Sequence, residues 1–296
     1  MQPFAYHRAA SESAALALAA EHPDAAFIAG GTDLLQLGKQ GAAAPARLID
    51  ISRLPFDRIE PQPDAVRIGA LARLAEVANH PAVRRDWPAL AQAIEASASP
   101  QIRNLATVGG NLLQRTRCGY FRSPDLPCNK RQPGSGCAAR DGENRLHAIF
   151  GASAHCVATH ASDLAVALLA LEARVQVRHH DAARVLPIAE LFRLPGDTPE
   201  RDSALALGEL IVAVEVPRNA GHRSGYLKVR DRASFEFAVV SVAVALEVEG
   251  DTIRAARLAA GGVGTVPWRL AASEAALAGA RVEPAAFAAA AAHAAD

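Results

Sequence analysis

Phe27-Ile28-Ala29-Gly30-Gly31-Thr32-Asp33-Leu34-Leu35 reads as a strand, a tight turn and the start of a helix. Ala106-Thr107-Val108-Gly109-Gly110-Asn111-Leu112 is a second place where an apolar run meets paired glycines. Adjacent glycines let the backbone turn sharply, and with no Cβ in the way successive N–H groups face one anion. Thr32, Thr107 and Asn111 add side-chain donors. Two such turns in one domain suit a pyrophosphate held from two sides. Neither is a P-loop or a dinucleotide fingerprint, because no Lys-Ser/Thr follows the first pair and G-x-G-x-x-G is absent. On the residues alone, two plain tight turns remain the alternative. Gly261-Gly262, a third pair, ends a strand and reads as a turn.

Outward from these turns the chain alternates helix and strand. Ser11 to Glu21 is helical in pattern, with serines suited to capping. Ala25 to Ala29, Arg47 to Ile51 and Ala65 to Gly69 read as strands, and Leu74 to Asn79 and Trp87 to Ala96 as helices, the latter with Asp86 as its cap and Pro88 in its first turn. This is an α/β pattern. Asp163 to Ala173 is helical and Arg174 to His179 a strand. The stretch from about Leu186 to Gly208 contains Pro195-Gly196 and marks a domain change. Beyond it Leu210 to Val216, Gly225 to Val229, Ala238 to Val248 and Thr252 to Gly261 read as strands, with Glu249-Gly250-Asp251 as a tight turn. Arg269 to Leu277 and Pro284 to Ala295 close the chain as helices. The expectation is an α+β chain with an α/β N-terminal part: residues 1–190 form one domain, and 191–296 a small one with a three-stranded antiparallel sheet and helices.

From Arg117 to about Arg145 the texture changes to Gly, Pro, Asn and charge, a loop long enough to need a function. All four cysteines, Cys118, Cys128, Cys137 and Cys156, lie in or just beyond it, spaced C-x9-C-x8-C-x18-C. Disulfides are disfavoured in a chain with no secretion signal. Zinc usually takes at least one close C-x2-4-C pair, which is absent. A cubane iron–sulfur cluster tolerates wide spacing because its corners point apart, and Arg115, Arg117, Arg122, Lys130, Arg131 and Arg140 would offset its negative charge. The spacing leans toward the cluster and leaves zinc open. His147, His155 and His160 read as surface residues or neighbours of the thiols rather than ligands.

Composition narrows the classes further. Lys plus Arg and Asp plus Glu both number 31, which argues against a large nucleic-acid-binding surface. No apolar run serves as a signal peptide or spans a membrane, so the chain by its own sequence reads as cytoplasmic. Export on a partner's signal leaves the periplasm open.

At these residues the chain resembles a family: the FAD-binding medium subunit of molybdenum hydroxylases of the xanthine oxidase type. The two glycine stretches look like its flavin pyrophosphate loops. Ile68-Gly69-Ala70-Leu71, Ser162-Asp163-Leu164-Ala165, Lys228-Val229-Arg230-Asp231-Arg232 and Gly261-Gly262-Val263 with Pro267 fit in the same order. The insertion at about 114–158 resembles that of flavoprotein subunits of periplasmic-type bacterial aldehyde oxidoreductases, in Asn111-Leu112-Leu113-Gln114-Arg115-Thr116-Arg117-Cys118, Pro127-Cys128-Asn129-Lys130-Arg131 and Pro133-Gly134-Ser135-Gly136-Cys137.

The resemblance implies a two-part FAD-binding domain followed by the small α+β domain. It implies that Ile28, Ala29, Gly30, Gly31, Thr32, Asp33 and Leu34 wrap the pyrophosphate of a non-covalent FAD, with Thr107, Gly110 and Asn111 on its other side. Asp163 would accept from a ribityl hydroxyl and Lys228 would approach the isoalloxazine, whereas unaided the two read as a plain cap and a solvated strand residue. Cys118, Cys128, Cys137 and Cys156 would hold a [4Fe-4S] cluster. The partners implied are a large molybdenum-cofactor subunit and a small subunit with two [2Fe-2S] clusters, in a heterotrimer that sometimes dimerises. Electrons would pass through FAD to an external acceptor, with no catalytic acid or base in this chain. An aromatic acyl-CoA reductase, a xanthine or CO dehydrogenase, and a zinc-stabilised non-redox protein are the alternatives.

Overall fold

The structure, a computed structural model, describes residues 1–180, 182–218 and 222–296. It opens with β1 (Ala5–Arg8), α1 (Glu12–Glu21), β2 (Ala25–Ile28), α2 (Leu34–Gln40) and β3 (Arg47–Asp50). Ser11 caps α1, its hydroxyl accepting from the Ala14 N–H at 3.1 Å. The three strands form a parallel sheet in the order β1-β3-β2. Parallel strands need a crossover between them, and α1 and α2 supply it. The first glycine turn sits where β2 hands over to α2.

The middle of the chain adds β4 (Ile59–Pro61), β5 (Ala65–Gly69), α3 (Leu74–Asn79), α4 (Pro81–Asp86), α5 (Pro88–Ala96), α6 (Pro100–Arg103) and α7 (Val108–Leu112). One short helix, α8 (Gly119–Arg122), interrupts the cysteine segment. Then come α9 (Asp163–Ala170), β6 (Arg174–His179), β7 (Ala182–Pro187), α10 (Ile188–Leu191) and β8 (Leu210–Pro217). The strands β4-β5-β8-β6-β7 form an antiparallel sheet in that order. Leu210 to Val216, expected in the second domain, is therefore a central strand of this sheet, which draws on residues up to Pro217. The reason is visible in its composition. Leu210-Ile211-Val212-Ala213-Val214 is buried without alternation, as a strand covered on both faces must be.

The last part is β9 (His222–Val229), β10 (Val240–Glu249), β11 (Thr252–Gly261), β12 (Trp268–Arg269), α11 (Ala271–Leu277) and α12 (Pro284–Ala292). Its antiparallel sheet has the order β12-β11-β10-β9, one short strand more than expected. Gly250, at φ 61°, makes the β10–β11 turn.

Helix α9 is buried along its whole length. Its sequence, Asp-Leu-Ala-Val-Ala-Leu-Leu-Ala, is apolar all round after the first residue, so it belongs inside rather than on a surface. It packs on α5 and on β10 and β11, which joins the two sheets' cores. Asp163, at its first position, is thereby brought to the junction. Asp86 does not cap α5: it closes α4, where its backbone is helical, and pairs with Arg85 at 2.8 Å and Arg218 at 2.5 Å. Pro88 does open α5. Among the described residues no helix is long and apolar enough to cross a membrane.

Candidate cofactor-binding site

The two glycine turns lie against each other. A Cβ on Gly30 would stand 2.0 Å from the Leu105 carbonyl oxygen, so the first turn rests on the backbone that leads into the second. Gly31 adopts φ 68°, a left-handed conformation that strains other L-residues. In the second turn Thr107 caps α7, its Oγ accepting from the Gly110 N–H at 3.2 Å, which leaves its own proton free to donate. Between the turns is a cavity of about 250 Å³ lined by Ile28 to Leu34, Thr107, Gly110 and, from β8, Leu210 and Ile211. It adjoins a cleft of about 990 Å³, sharing Ala26, Phe27, Leu113, Arg115 and Glu209 with it. Two glycine turns packed backbone to backbone beside a cavity that continues into a long cleft fit an extended dinucleotide.

Asn111 is beside this cavity rather than on its wall. Its Oδ1 accepts from the Ser162 hydroxyl at 2.6 Å, and Ser162 in turn caps α9 by accepting from the Ala165 N–H at 3.0 Å. The second glycine turn and the start of α9 are thus tied through one serine.

Asp33 lines the cavity, but its carboxylate turns to the inserted segment. It accepts from the Arg115 N–H at 2.8 Å, from Arg117, and from Arg122 at 2.9 Å. Burial works against its charge. The Arg117 charge and these hydrogen bonds outweigh burial and hold its pKa below the usual carboxylate value. A bare carboxylate would repel a pyrophosphate at this position, and the two guanidinium groups cancel that repulsion.

Asp163 and Lys228 meet each other. Lys228 Nζ donates to Asp163 Oδ2 at 2.8 Å, and their side chains are 2% and 7% exposed. The plain readings of a cap and a solvated strand residue both fall away: Ser162 is the cap, and Lys228 is buried. Lys228 also donates to the Ala96 carbonyl at 3.2 Å, at the C-terminal end of α5, where the helix dipole favours a cation. Tyr226 donates to Asp163 Oδ1 at 2.5 Å. Burial, and then the Asp163 charge, push its phenol pKa far up, so it stays a donor. Tyr226 escaped sequence reasoning, although it lies two residues before Lys228 and so on the same face of β9. Asp163 also borders a small pocket with Arg117, His160, Phe237, Ser241 and Gly262.

The cysteine segment is held by backbone contacts. Cys128 and Cys137 face each other in a β-bridge. Asn129 closes the loop between them, its N–H donating to the Gly136 carbonyl at 2.7 Å and its Oδ1 accepting from the Gly136 N–H at 2.8 Å. All four thiols are free. Cys118 interacts electrostatically with Cys128 and Cys156, and Cys156 with Cys128 and Cys137, so the four belong to one group. Burial pushes the Cys118 and Cys156 thiols up, while the Tyr120 and Phe121 amides bond to the first sulfur and the Ala158 amide, at 3.5 Å, to the second. Among the described residues no three His, Cys, Asp or Glu side chains close on one point as for a single metal ion. Cys128 and Cys156 are buried and Cys118 and Cys137 half-buried, and four free thiols with amides at two of them have the donor chemistry of a thiolate-ligated group.

The surrounding cations mostly do other work than expected. Arg117 and Arg122 serve Asp33. Arg131 donates to the Tyr120 and Phe121 carbonyls, both at 2.7 Å, and to Pro124 and Leu126. Lys130, buried, bonds the Pro199 carbonyl at 2.7 Å and Asp202, yet its charge also reaches Cys156. His147 Nε2 lies 3.2 Å from Cys118 Sγ. His160 is half-buried on the wall of the large cleft, and desolvation lowers its pKa to about 4. The segment finally docks on the C-terminal four-stranded sheet through Phe150, stacked on Trp268 at 5.3 Å with its N–H on the Val263 carbonyl at 3.0 Å.

Comparison with known proteins agrees with this geometry. Residues 2–219 match the FAD binding domain in molybdopterin dehydrogenase, and residues 225–296 the CO dehydrogenase flavoprotein C-terminal domain. The chain is 47% identical over 279 residues to the aldehyde oxidoreductase FAD-binding subunit PaoB of Escherichia coli (strain K12), covering 94% of this chain and 86% of that one. It is 27% identical to the glyceraldehyde dehydrogenase medium chain of Sulfolobus acidocaldarius, covering 90% and 78%. A solved carbon monoxide dehydrogenase of Hydrogenophaga pseudoflava superposes with a TM-score of 0.76 at 27% identity, covering 99% of this chain and 86% of that one.

Proposed function

Since the chain belongs to the family of FAD-binding subunits of molybdopterin dehydrogenases, we propose that it is the FAD- and [4Fe-4S]-binding electron-transfer subunit of a molybdenum-cofactor-dependent aldehyde oxidoreductase. The observation that carries the flavin half is the pair of glycine turns pressed together at Gly30 and Leu105 over one cavity. Bound FAD supplies exchange between one-electron and two-electron carriers. This chain's residues bind and orient it. The amides of residues 30–32 and the Thr107 hydroxyl grip the pyrophosphate, with Gly110, its own N–H engaged by Thr107, lining the same cavity. Asp163, held by Tyr226 and Lys228, would accept from a ribityl hydroxyl, and Lys228 would stand behind that carboxylate on the isoalloxazine side.

The cluster half is supported by the grouping of Cys118, Cys128, Cys137 and Cys156 in a segment with amides aimed at two of the sulfurs. Aldehyde as substrate class rests on the similarity to the E. coli aldehyde oxidoreductase subunit. Substrate oxidation then belongs to a large partner subunit with the molybdenum cofactor. In such a complex FAD held by this chain would link the two [2Fe-2S] clusters of a small partner to an external acceptor. The roles divide along the chain with the thiols in the insertion at about 114–158, the flavin cavity formed by the first part together with β8, which lies beyond residue 190, and Lys228 on the last sheet.

The complex, co-expressed with its partner subunits and purified without oxygen, tests this by joint assay of released flavin, iron, acid-labile sulfide and zinc. One FAD and about four irons with matching sulfide per chain, beyond those of the partners, is the expected result. FAD without this iron would remove the cluster and keep the flavoprotein. Zinc without flavin would overturn both halves.

A further inference from the structure

We propose that Asp33 is a positioning residue that couples the two cofactor sites, so that occupation of the cysteine segment and retention of FAD stabilise each other. The inference rests on the reading of both sites given above and goes beyond it, because neither site by itself requires the other.

Two independent sets of contacts join them. The first is polar. Asp33 sits at the hinge between the Gly30-Gly31 turn and α2, yet it makes no capping bond to its own helix. The hydrogen bonds to its carboxylate come from residues 115, 117 and 122, which bracket Cys118. Arg122, closing the turn that Cys118 opens, also donates to the Thr116 carbonyl at 2.9 Å and to Gln40 Oε1 at 3.1 Å, at the far end of α2. The second set is apolar. Leu37 and Ala42, on and just after α2, form a buried cluster with Phe121 and Cys128, and Cys118 packs on its edge. Helix α2 is therefore gripped at both ends and along one side by the segment that carries the thiols.

A ligand that orders the turn at Cys118 fixes Arg117 and Arg122, and these fix Asp33 and the glycine turn beside it. The reverse holds with equal strength, since coupling between two binding equilibria is reciprocal. FAD affinity and iron retention should then change together by one factor, on the order of tenfold.

The test uses the purified complex. FAD affinity is measured by flavin fluorescence for iron-loaded and iron-depleted complex. The chelator concentration that removes half of the iron, read by absorbance, is measured with FAD saturating and with FAD removed. Wild type should show both ratios near tenfold, and Asp33→Asn and Arg122→Gln should each bring both ratios toward one. Gln40→Ala, which removes a peripheral contact and leaves no buried charge unpaired, should lower both partway if the charge variants fail to fold. Wild-type ratios of one would overturn the coupling, as would a variant that weakens FAD binding while both ratios stay at the wild-type value. Failure of the underlying reading looks different: the wild-type complex, as purified, would lack the FAD or the iron, and the coupling would fall with it.

Discussion

Lys228 and Asp163 form an ion pair 2.8 Å long whose two side chains are almost without solvent contact, and they come from opposite sides of the junction between the two sheets. Asp163 opens the fully buried helix α9, whereas Lys228 points inward from β9. Removing one partner of such a pair leaves the other buried and uncompensated. Lys228→Met should cost about 3 kcal/mol in urea unfolding, only partly offset by the Tyr226 phenol that still donates to Asp163. Lys228→Met combined with Asp163→Asn should recover much of that loss. A double variant as unstable as the single one would show that the pair's charges do not set the cost.

The glycine turns allow a graded test. At Gly30 a methyl group would meet backbone at 2.0 Å, with no side chain there to move aside. At Gly109 the nearest contact would be the Ala70 methyl at 3.1 Å. Gly30→Ala should therefore lose most FAD from the purified complex and Gly109→Ala much less. Gly31→Ala should fall between them, because its left-handed φ costs about 1–2 kcal/mol. Flavin released on denaturation, measured per chain, checks the order.

His160 sets a pH dependence. Burial holds its pKa near 4, against about 6.5 for a free imidazole. Between those values the unfolded chain binds a proton that the folded chain does not. Stability is therefore fully present above about pH 6.5 and is lost as pH falls toward 4. Replacing His160 with Gln should flatten the denaturation midpoint across that window, relative to wild type.

Ser162 does two things at once. Ser162→Ala removes the cap of α9, worth about 1 kcal/mol, and frees the Asn111 amide to rotate. Ser162→Thr keeps both bonds. The Ala variant should lower both the unfolding midpoint and FAD retention, and the Thr variant neither. Equal FAD retention in the two would detach Asn111 from flavin binding.

Much of the chain's local structure was legible before the fold. Leu74–Asn79, Arg174–His179 and Thr252–Gly261 fall where the apolar periodicity places them, because period and turn chemistry act over a few neighbours. The elements not expected were those with weak patterns of their own. Ala5–Arg8 and Ala182–Pro187 are edge strands, mostly exposed along one or both faces, and acquire their identity by pairing with Arg47–Asp50 and Arg174–His179.

From its residues alone the chain determined the strand–glycine–helix grammar, the grouping of four thiols in one polar segment, and the absence of a charge excess. These are properties of short stretches or of composition, where propensity and sterics suffice. Only the tertiary structure decided that β8 belongs to the five-stranded sheet, that Asp33 turns to arginines more than eighty residues away, and that Lys228 meets Asp163 rather than water. Each of those choices depends on which surfaces bury together. A carboxylate's local sequence says that it needs a partner, and only packing says which of 31 Lys and Arg residues arrives.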